Sequence, residues 1–404
     1  MNSAHAAVPA ASDDSMSPTE RLELFGLWSL FGVGASLQLS IAVGQILLAA
    51  AVIFWLAVLV VGRERFSAPR FFWPLLAYAA ATLVSAAFSG QPALSLADSK
   101  QLALFLIVPV AHRFVSGTRG ATMLTVIVSA GAASALFGIF QYGLLHYDHL
   151  GQRPQGTLGH YMTYSGLLML VIGVALARIL FGRGERLWAA LVMPALAMAV
   201  VLTFTRSAWV GACVATAVLL TLKDFRLLAI MPVLAAVLFA SAPAAIMQRA
   251  WSMYDLNDPT IRDRAAMMRE GVNMVRAHPL VGVGPNMVQQ LYAEYRDPDA
   301  VEIVNPHLHN VPLQIAAERG LPALAIWVAF IGLLGFDLVR RFRTGRLRLV
   351  SGAALAALVS MLAAGLFEHN FGDSEFLMLF LLLVTLPFAA DHRARIDAPA
   401  AERS

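Results

Sequence analysis

The chain has 404 residues, 59% of them hydrophobic and 13% charged, with a formal net charge of +4. Soluble globular domains carry about a quarter charged residues, so the composition excludes a water-soluble fold and indicates an all-α polytopic membrane protein. The positive balance is no nucleic-acid signal, because the arginines cluster in short loops, and a lone cysteine, Cys213, excludes an intrachain disulfide.

Residues 1–22 are polar and acidic at Asp13, Asp14 and Glu20, without the basic start of a cleaved signal peptide, and read as a disordered cytoplasmic tail. A membrane-spanning helix needs roughly 20 apolar residues. Leu24 to Val61 is long enough for two, turned at the Gly32–Ser40 region. Further candidates lie at 72–88, 100–115, 121–144, 161–181, 187–204, 208–222 and 227–246, closing a first membrane block over 23–246. After a polar interval, 315–338, 349–367 and 376–390 form a second block over 315–390, and 391–404 is a second tail. The reading is about 12 spans.

Basic residues orient the chain. Arg63, Arg65 and Arg70, then Arg113 and Arg119, then Arg178, Arg183 and Arg186, then Lys223 and Arg226, then Arg340, Arg341, Arg343, Arg346 and Arg348 occupy alternate loops, with Arg393 and Arg395 in the tail. The positive-inside rule makes that side, and both termini, cytoplasmic. The interval 247–314 then becomes a large outer loop. Within it, Asp258-Pro259 reads as an N-cap and first helical residue. Ile261, Ala265, Met268, Val272 and Val275 recur at helical spacing up to His278-Pro279. Gly282 to Pro285 is a turn, and a second helix carries Met287, Val288, Leu291, Tyr292 and Tyr295 before Asp297-Pro298. Two amphipathic helices on the outer membrane face are expected, as a lid or acceptor platform.

Chemistry-bearing residues gather around these outer segments. His307 and His309 precede a helix that Pro312 opens, and the spacing leaves three readings: an interfacial anchor, a general base, or a metal ligand pair. No cysteine, histidine and carboxylate cluster has metal-site spacing, so no metal is expected. Arg206, at the meeting of two short spans, reads as a headgroup anchor or an anion clamp, and Arg264 is similar. Arg262, Arg269 and Arg276 repeat every seven residues as a solvated stripe. His160 opens a span and reads as a cap, a packing residue or a sugar contact. Glu368, His369 and Asn370 are more polar than a turn needs. No Asp or Glu lies in the middle of an apolar run, Asp337 and Glu368 sitting at ends, which argues against an ion-coupled transporter.

Thr205-Arg206-Ser207-Ala208-Trp209, Arg264 ahead of Met267-Met268, His278-Pro279 through Gly282-Val283-Gly284-Pro285, and His309-Asn310 followed by Glu318 and Gly320 resemble, in order and spacing, the O-antigen ligase/polymerase superfamily (the Wzy/WaaL-type proteins). The resemblance implies a GT-C-type glycosyltransferase of the bacterial inner membrane with a periplasmic active site in the 247–314 loop. It implies an undecaprenyl-diphosphate-linked glycan as donor and no cofactor. The acceptor is a lipid A–core sugar for a ligase, or a second lipid-linked glycan for a polymerase, with a protein-glycosylating relative as a variant. His309 resembles the base and Arg206 and Arg264 the diphosphate-binding arginines; His160, His307, Asn310, Glu318 and His369 are candidate substrate contacts. Pro312, close behind His309-Asn310, and Ala323, where a glycine is usual, depart from the pattern and put the helix start in question. The interval from Arg264 to His309 is short for a ligase, which keeps the polymerase reading open.

Overall fold

The computed structural model describes residues 16–396 except 242, 243, 256 and 346. Every regular element among them is helical, and the one β-contact is an isolated bridge between His149 and Gln152. Of the expected cytoplasmic segments, 1–15, Arg346 and 397–404 lie outside the described residues.

Helix α1 (Pro18–Ser36) starts inside the tail expected over 1–22, because Ser17 and Glu20 form a capping box. The Ser17 hydroxyl accepts from Glu20 N (3.2 Å) and Ser17 N donates to the Glu20 carboxylate (2.8 Å), satisfying two otherwise orphaned amides. A short turn leads to α2 (Ile41–Val61), followed by α3 (Phe72–Ala87). Helix α4 (Pro92–Asp98) runs through a 3₁₀ stretch, Ser99–Leu106, into α5 (Ile107–Phe114). The span expected from residue 100 therefore begins at Pro92, which tolerates the first helical turn where no amide is required. Next come α6 (Arg119–Leu144), α7 (Tyr161–Phe181), α8 (Arg186–Leu202), α9 (Arg206–Lys223), α10 (Ile230–Ser241) and α11 (Ala244–Trp251). The outer segment holds α12 (Pro259–Ala277) and α13 (Met287–Tyr295). Helices α14 (Val311–Arg343), α15 (Arg348–Gly365) and α16 (Ser374–Ile396) complete the chain, α16 running into the expected 391–404 tail.

Among the described residues, eight helical segments are long and apolar enough to cross a membrane, and Phe72–Ala87, Arg186–Leu202 and Phe225–Val237 are shorter apolar helices. The chain is a multi-pass membrane protein. Helices α7, α15 and α16 form its centre, whereas α2 turns Ile46, Ile53 and Val60 outward. Exposed branched apolar side chains on a long helix are what a lipid-facing surface requires.

Basic loops meet at one end of the bundle. Arg113 donates to Glu64 (2.6 and 2.7 Å) and, with Arg119, to Glu23 (3.3 and 3.1 Å). Lys223 reaches the Leu180 carbonyl (3.2 Å), Arg178 pairs with Glu185 (3.0 Å), and Arg341 pairs with Asp391 (2.8 Å). The α12–α13 segment lies at the other end, against the start of α14.

Asp258 caps α12 by accepting from Thr260 N and Ile261 N, as the sequence suggests. The buried face is another matter. Of the stripe Ile261, Ala265, Met268, Val272 and Val275, Val275 packs against the cluster of Met267 and Met274 and Ile261 is half-buried, while Ala265, Met268 and Val272 are exposed, Met268 by 53%. Asp263, Ala266, Met267, Glu270, Gly271 and Met274 are buried instead. The two carboxylates have a structural reason to face inward. Asp263 accepts from Val301 N, Glu302 N and Asn305 Nδ2 (3.0–3.1 Å), and Glu270 accepts from Asp297 N (2.8 Å), so together they satisfy the backbone of the loop after α13.

Candidate active site

The loop before α14 alternates its side chains. Leu308 is buried under α12 among Met267, Met274 and Met287, which leaves His307 and His309 to flank it. The Gln314 side chain accepts from Leu308 N (2.7 Å) and fixes this register. Asn310 caps α14 by accepting from Leu313 N (2.9 Å), so Pro312 falls in the first turn and does not interrupt the helix. His309 itself has φ 49°. Non-glycine residues in this left-handed region cost of order 1–3 kcal/mol and persist where surrounding structure holds them.

What holds His309 is Glu368, from the turn between α15 and α16. Its Oε1 lies 3.0 Å from His309 Nδ1 and also accepts from His369 N (3.0 Å). A carboxylate only accepts, so Nδ1 carries the hydrogen in this contact, and it is Nε2 that holds the lone pair whenever the ring is neutral. Burial alone would raise the Glu368 carboxyl; the hydrogen bond and charge of His309 outweigh it and bring the group down to about 2. Burial lowers His307 to about 4, with His309 adding to the shift, and lowers His369 well below the ordinary imidazole value. Both rings are neutral near pH 7.

Four arginines converge beside this cluster. Arg206, the first residue of α9, is buried, donates to Ser252 Oγ (3.0 Å) and pairs with Asp258 (3.4 Å). Arg249 of α11 approaches the other Asp258 oxygen (3.7 Å), so one carboxylate joins α9, α11 and the cap of α12. Burial lowers the Arg249 guanidinium to about 10, and Arg206, Arg153 and Arg264 push the same way. Arg264 on α12 is lowered by burial, opposed by the nearby Glu368 charge and reinforced by Arg206. Arg153 stacks over the Tyr161 ring at 4.2 Å. Mutually felt charges link Arg206 to Arg264, Arg264 to Glu368, and Glu368 to His309.

A cavity of about 200 Å³ opens on the His side, bounded by His160 and Thr163 of α7, by His307, and by Glu368, His369 and Asp373. Thus His160, His307, His309 and His369 come together, and Arg206 and Arg264 adjoin them. Two other candidates stand apart from the cavity wall. Asn310 is occupied as a helix cap and as donor to the Leu366 carbonyl (3.1 Å). Glu318 is buried in a structural knot: its carboxylate accepts from Asn286 N (2.9 Å) and pairs with Arg319 (2.6 Å), while its carbonyl accepts from Ser85 and Gly284. This knot sits at the kink of α14, where Gly320 has φ 81°. Arg269 pairs with Asp297 and Asp299 and ties α12 to the end of α13, away from the cavity.

Glu368 as the partner of His309, together with Arg153 and Arg249, is what sequence reasoning missed. A signal existed for the two arginines: both lie in loops that the positive-inside count assigns to the outer face, where basic residues need a reason. Among the described residues, His307, His309 and Glu368 are the one group able to offer a metal ion three donor atoms, all within 4.8 Å of one another.

Residues 191–328 match the family model described as O-antigen ligase. Over this segment the chain is similar to the O-antigen ligase family. The segment reaches from α8 through the first half of α14 and contains Arg206, Arg249, Arg264, His307 and His309. Glu368, Arg153 and His160 lie outside the matched O-antigen ligase segment. No curated protein matches the chain.

Proposed function

We propose that the protein is a membrane glycosyltransferase that moves an undecaprenyl-diphosphate-linked glycan onto a sugar hydroxyl of lipid A–core, at the outer face of the bacterial inner membrane. The single observation carrying this reading is the His309–Glu368 pair at 3.0 Å beside a field of arginines. The diphosphate sits among Arg206, Arg249 and Arg264, whose guanidinium groups favour bidentate phosphate contacts and neutralise charge as it departs. His309 Nε2 takes the proton of the acceptor hydroxyl while that oxygen attacks the anomeric carbon. The new C–O bond forms as the bond to the diphosphate oxygen breaks, and the leaving group keeps that electron pair. Attack from the face opposite the diphosphate inverts the anomeric centre. Glu368 stabilises the imidazolium, which later returns its proton to solvent or to the released diphosphate. None of these steps needs a metal.

The same atoms serve a polymerase whose acceptor is a second lipid-linked glycan, and the short α12–α13 interval favours keeping that reading as the alternative. The charge pattern of the loops supports an outer position for the site and a cytoplasmic position for both termini. Twelve crossings follow if α1, α3, α8 and α10 also traverse the bilayer. Purified protein given donor alone, and donor with core glycolipid, tests the reading. Capping of the glycolipid is expected, chain growth from donor alone would replace ligase by polymerase, and no new glycosidic bond would refute both.

A further inference from the structure

Helix α12 turns both of its carboxylates, Asp263 and Glu270, into the protein, so its exposed face carries no acidic residue of its own. That face has two sectors. At 3.6 residues per turn, Ala265, Met268 and Val272 fall within about 60° of one another and form an exposed apolar strip; Arg262, Arg269 and Arg276 line its edge at intervals of about 10 Å. Arg269 is held by Asp297 and Asp299. Arg262 and Arg276 are exposed and pair with no carboxylate among the described residues. An exposed apolar strip edged by arginines is the pattern of a helix lying in a lipid–water interface.

Both ends of α12 are tied to levels where spans leave the bilayer. At its start, the capping residue Asp258 is paired with Arg206, the first residue of α9. Trp251 and Tyr254, both exposed and with ring centroids 6.3 Å apart, stand just before that cap, and such side chains settle at headgroup depth. At the far end, Leu321 N donates to the Pro279 carbonyl (2.8 Å), next to the Gly320 kink of α14. From Gly320 to Arg340 is about 30 Å of helix, the thickness of the hydrocarbon core, with Leu321 and Val328 exposed along it. A helix of 19 residues, about 28 Å long, with both ends at the outer boundary runs along the leaflet.

We propose that α12 docks on the outer leaflet through this face, with Ala265, Met268 and Val272 in the acyl boundary and Arg262 and Arg276 on the phosphates of anionic phospholipids. Arg264 lies just round the helix from Met268, on the side of the site, so the seated strip fixes its height at headgroup level. The use of that height, meeting a lipid-borne diphosphate, rests on the glycosyl-transfer reading above; the docking does not.

The test uses the full-length protein with Cys213→Ser, carrying a nitroxide at Val272→Cys or, beyond the arginine line, at Asn273→Cys. It is placed in nanodiscs of phosphatidylglycerol and phosphatidylcholine in equal parts. Power-saturation EPR compares collisions with O₂, which partitions into lipid, and with a water-soluble nickel chelate. The label at 272 should favour O₂ and the label at 273 the chelate. Arg262→Glu with Arg276→Glu, or discs of phosphatidylcholine alone, should shift the 272 label toward water, since each arginine at an anionic surface strengthens seating roughly five-fold. An unaltered line shape at 273 checks that the charge-reversed protein is folded. A 272 label reached mainly by the chelate in anionic discs would overturn the docking. So would one reached by neither probe, the mark of a covering protein such as a second copy. A 272 label indifferent to both charge reversal and neutral lipid would overturn the anionic partner. Docking without any glycan transfer would refute the transferase reading alone, and transfer with a water-exposed 272 label would refute the docking alone.

Discussion

His309 and Glu368 meet at 3.0 Å although 59 residues separate them in the chain. The pair joins the mouth of α14 to the turn between α15 and α16, and it sets the imidazole tautomer: the proton is held on Nδ1 and the lone pair is presented on Nε2. Positioned bases contribute about 10²–10⁴-fold to a proton-transfer step.

Replacing Glu368 by Gln keeps the volume but removes the charge that orients and stabilises the imidazolium. Transfer should fall by about 100-fold or more in kcat, with little change in donor KM. His309→Ala should fall at least as far while the protein stays folded in membranes. Single-turnover assays check both, and a Glu368→Gln enzyme within a few-fold of wild type would remove Glu368 from the mechanism.

The arginines should act on the donor. Hydrogen bonds to charged groups contribute about 1.5–3 kcal/mol, or roughly 10–150-fold each. Arg249→Gln and Arg264→Gln should therefore weaken binding of the diphosphate lipid by about that factor. Arg264→Lys should rescue poorly, since an ammonium cannot form the planar fork. Direct binding of donor lipid is the measurement; unchanged affinity in Arg249→Gln would exclude that residue from the clamp.

Acid should destabilise the fold in two stages. His307 is held at about 4 against an ordinary 6.5, so the unfolded chain binds its proton first. Stability is full above about 6.5 and declines as pH falls towards 4. Glu368 is held at about 2 against 4.5, and its contribution is lost lower, between about 4.5 and 2. Melting temperature followed from pH 7.5 to 4 should drop in wild type and drop less in His307→Asn. A parallel decline in both would show that His307 does not drive the first stage.

Chelation should leave transfer intact. Added Zn²⁺ should inhibit, because His307, His309 and Glu368 can converge on one ion and the metal would displace the proton that sets the His309 tautomer. EDTA should restore activity. Loss of transfer in EDTA alone would contradict a mechanism carried by His309 and the arginines without a metal.

Much of the fold is legible because hydropathy reports spans directly: a helix stands over each apolar run, with boundaries displaced where local chemistry extends them, at Ser17 and Pro92. Motif spacing also names the histidine and the two arginines on which the proposed mechanism rests. The buried face of α12 was not legible. Helical periodicity assumes that apolar residues face inward, yet Asp263 and Glu270 are turned in to serve backbone amides of a later loop, and Ala265, Met268 and Val272 of the apolar stripe are left outside. Glu368 was visible as an unusually polar turn, but only the packing of α14 against α15 brings it to His309. Glu318 misled in the opposite way, since a carboxylate behind a catalytic motif looks functional when its partners, Asn286 and Ser85, are distant in sequence.

The positive φ at His309 bears on how such a site can vary over evolutionary time. Few side chains other than asparagine, aspartate and histidine sit readily in that conformation. Most replacements would cost the imidazole and also disturb the corner that launches α14. Base and bend are thus inherited as one unit, and asparagine is the substitution that separates the loss of one from the loss of the other.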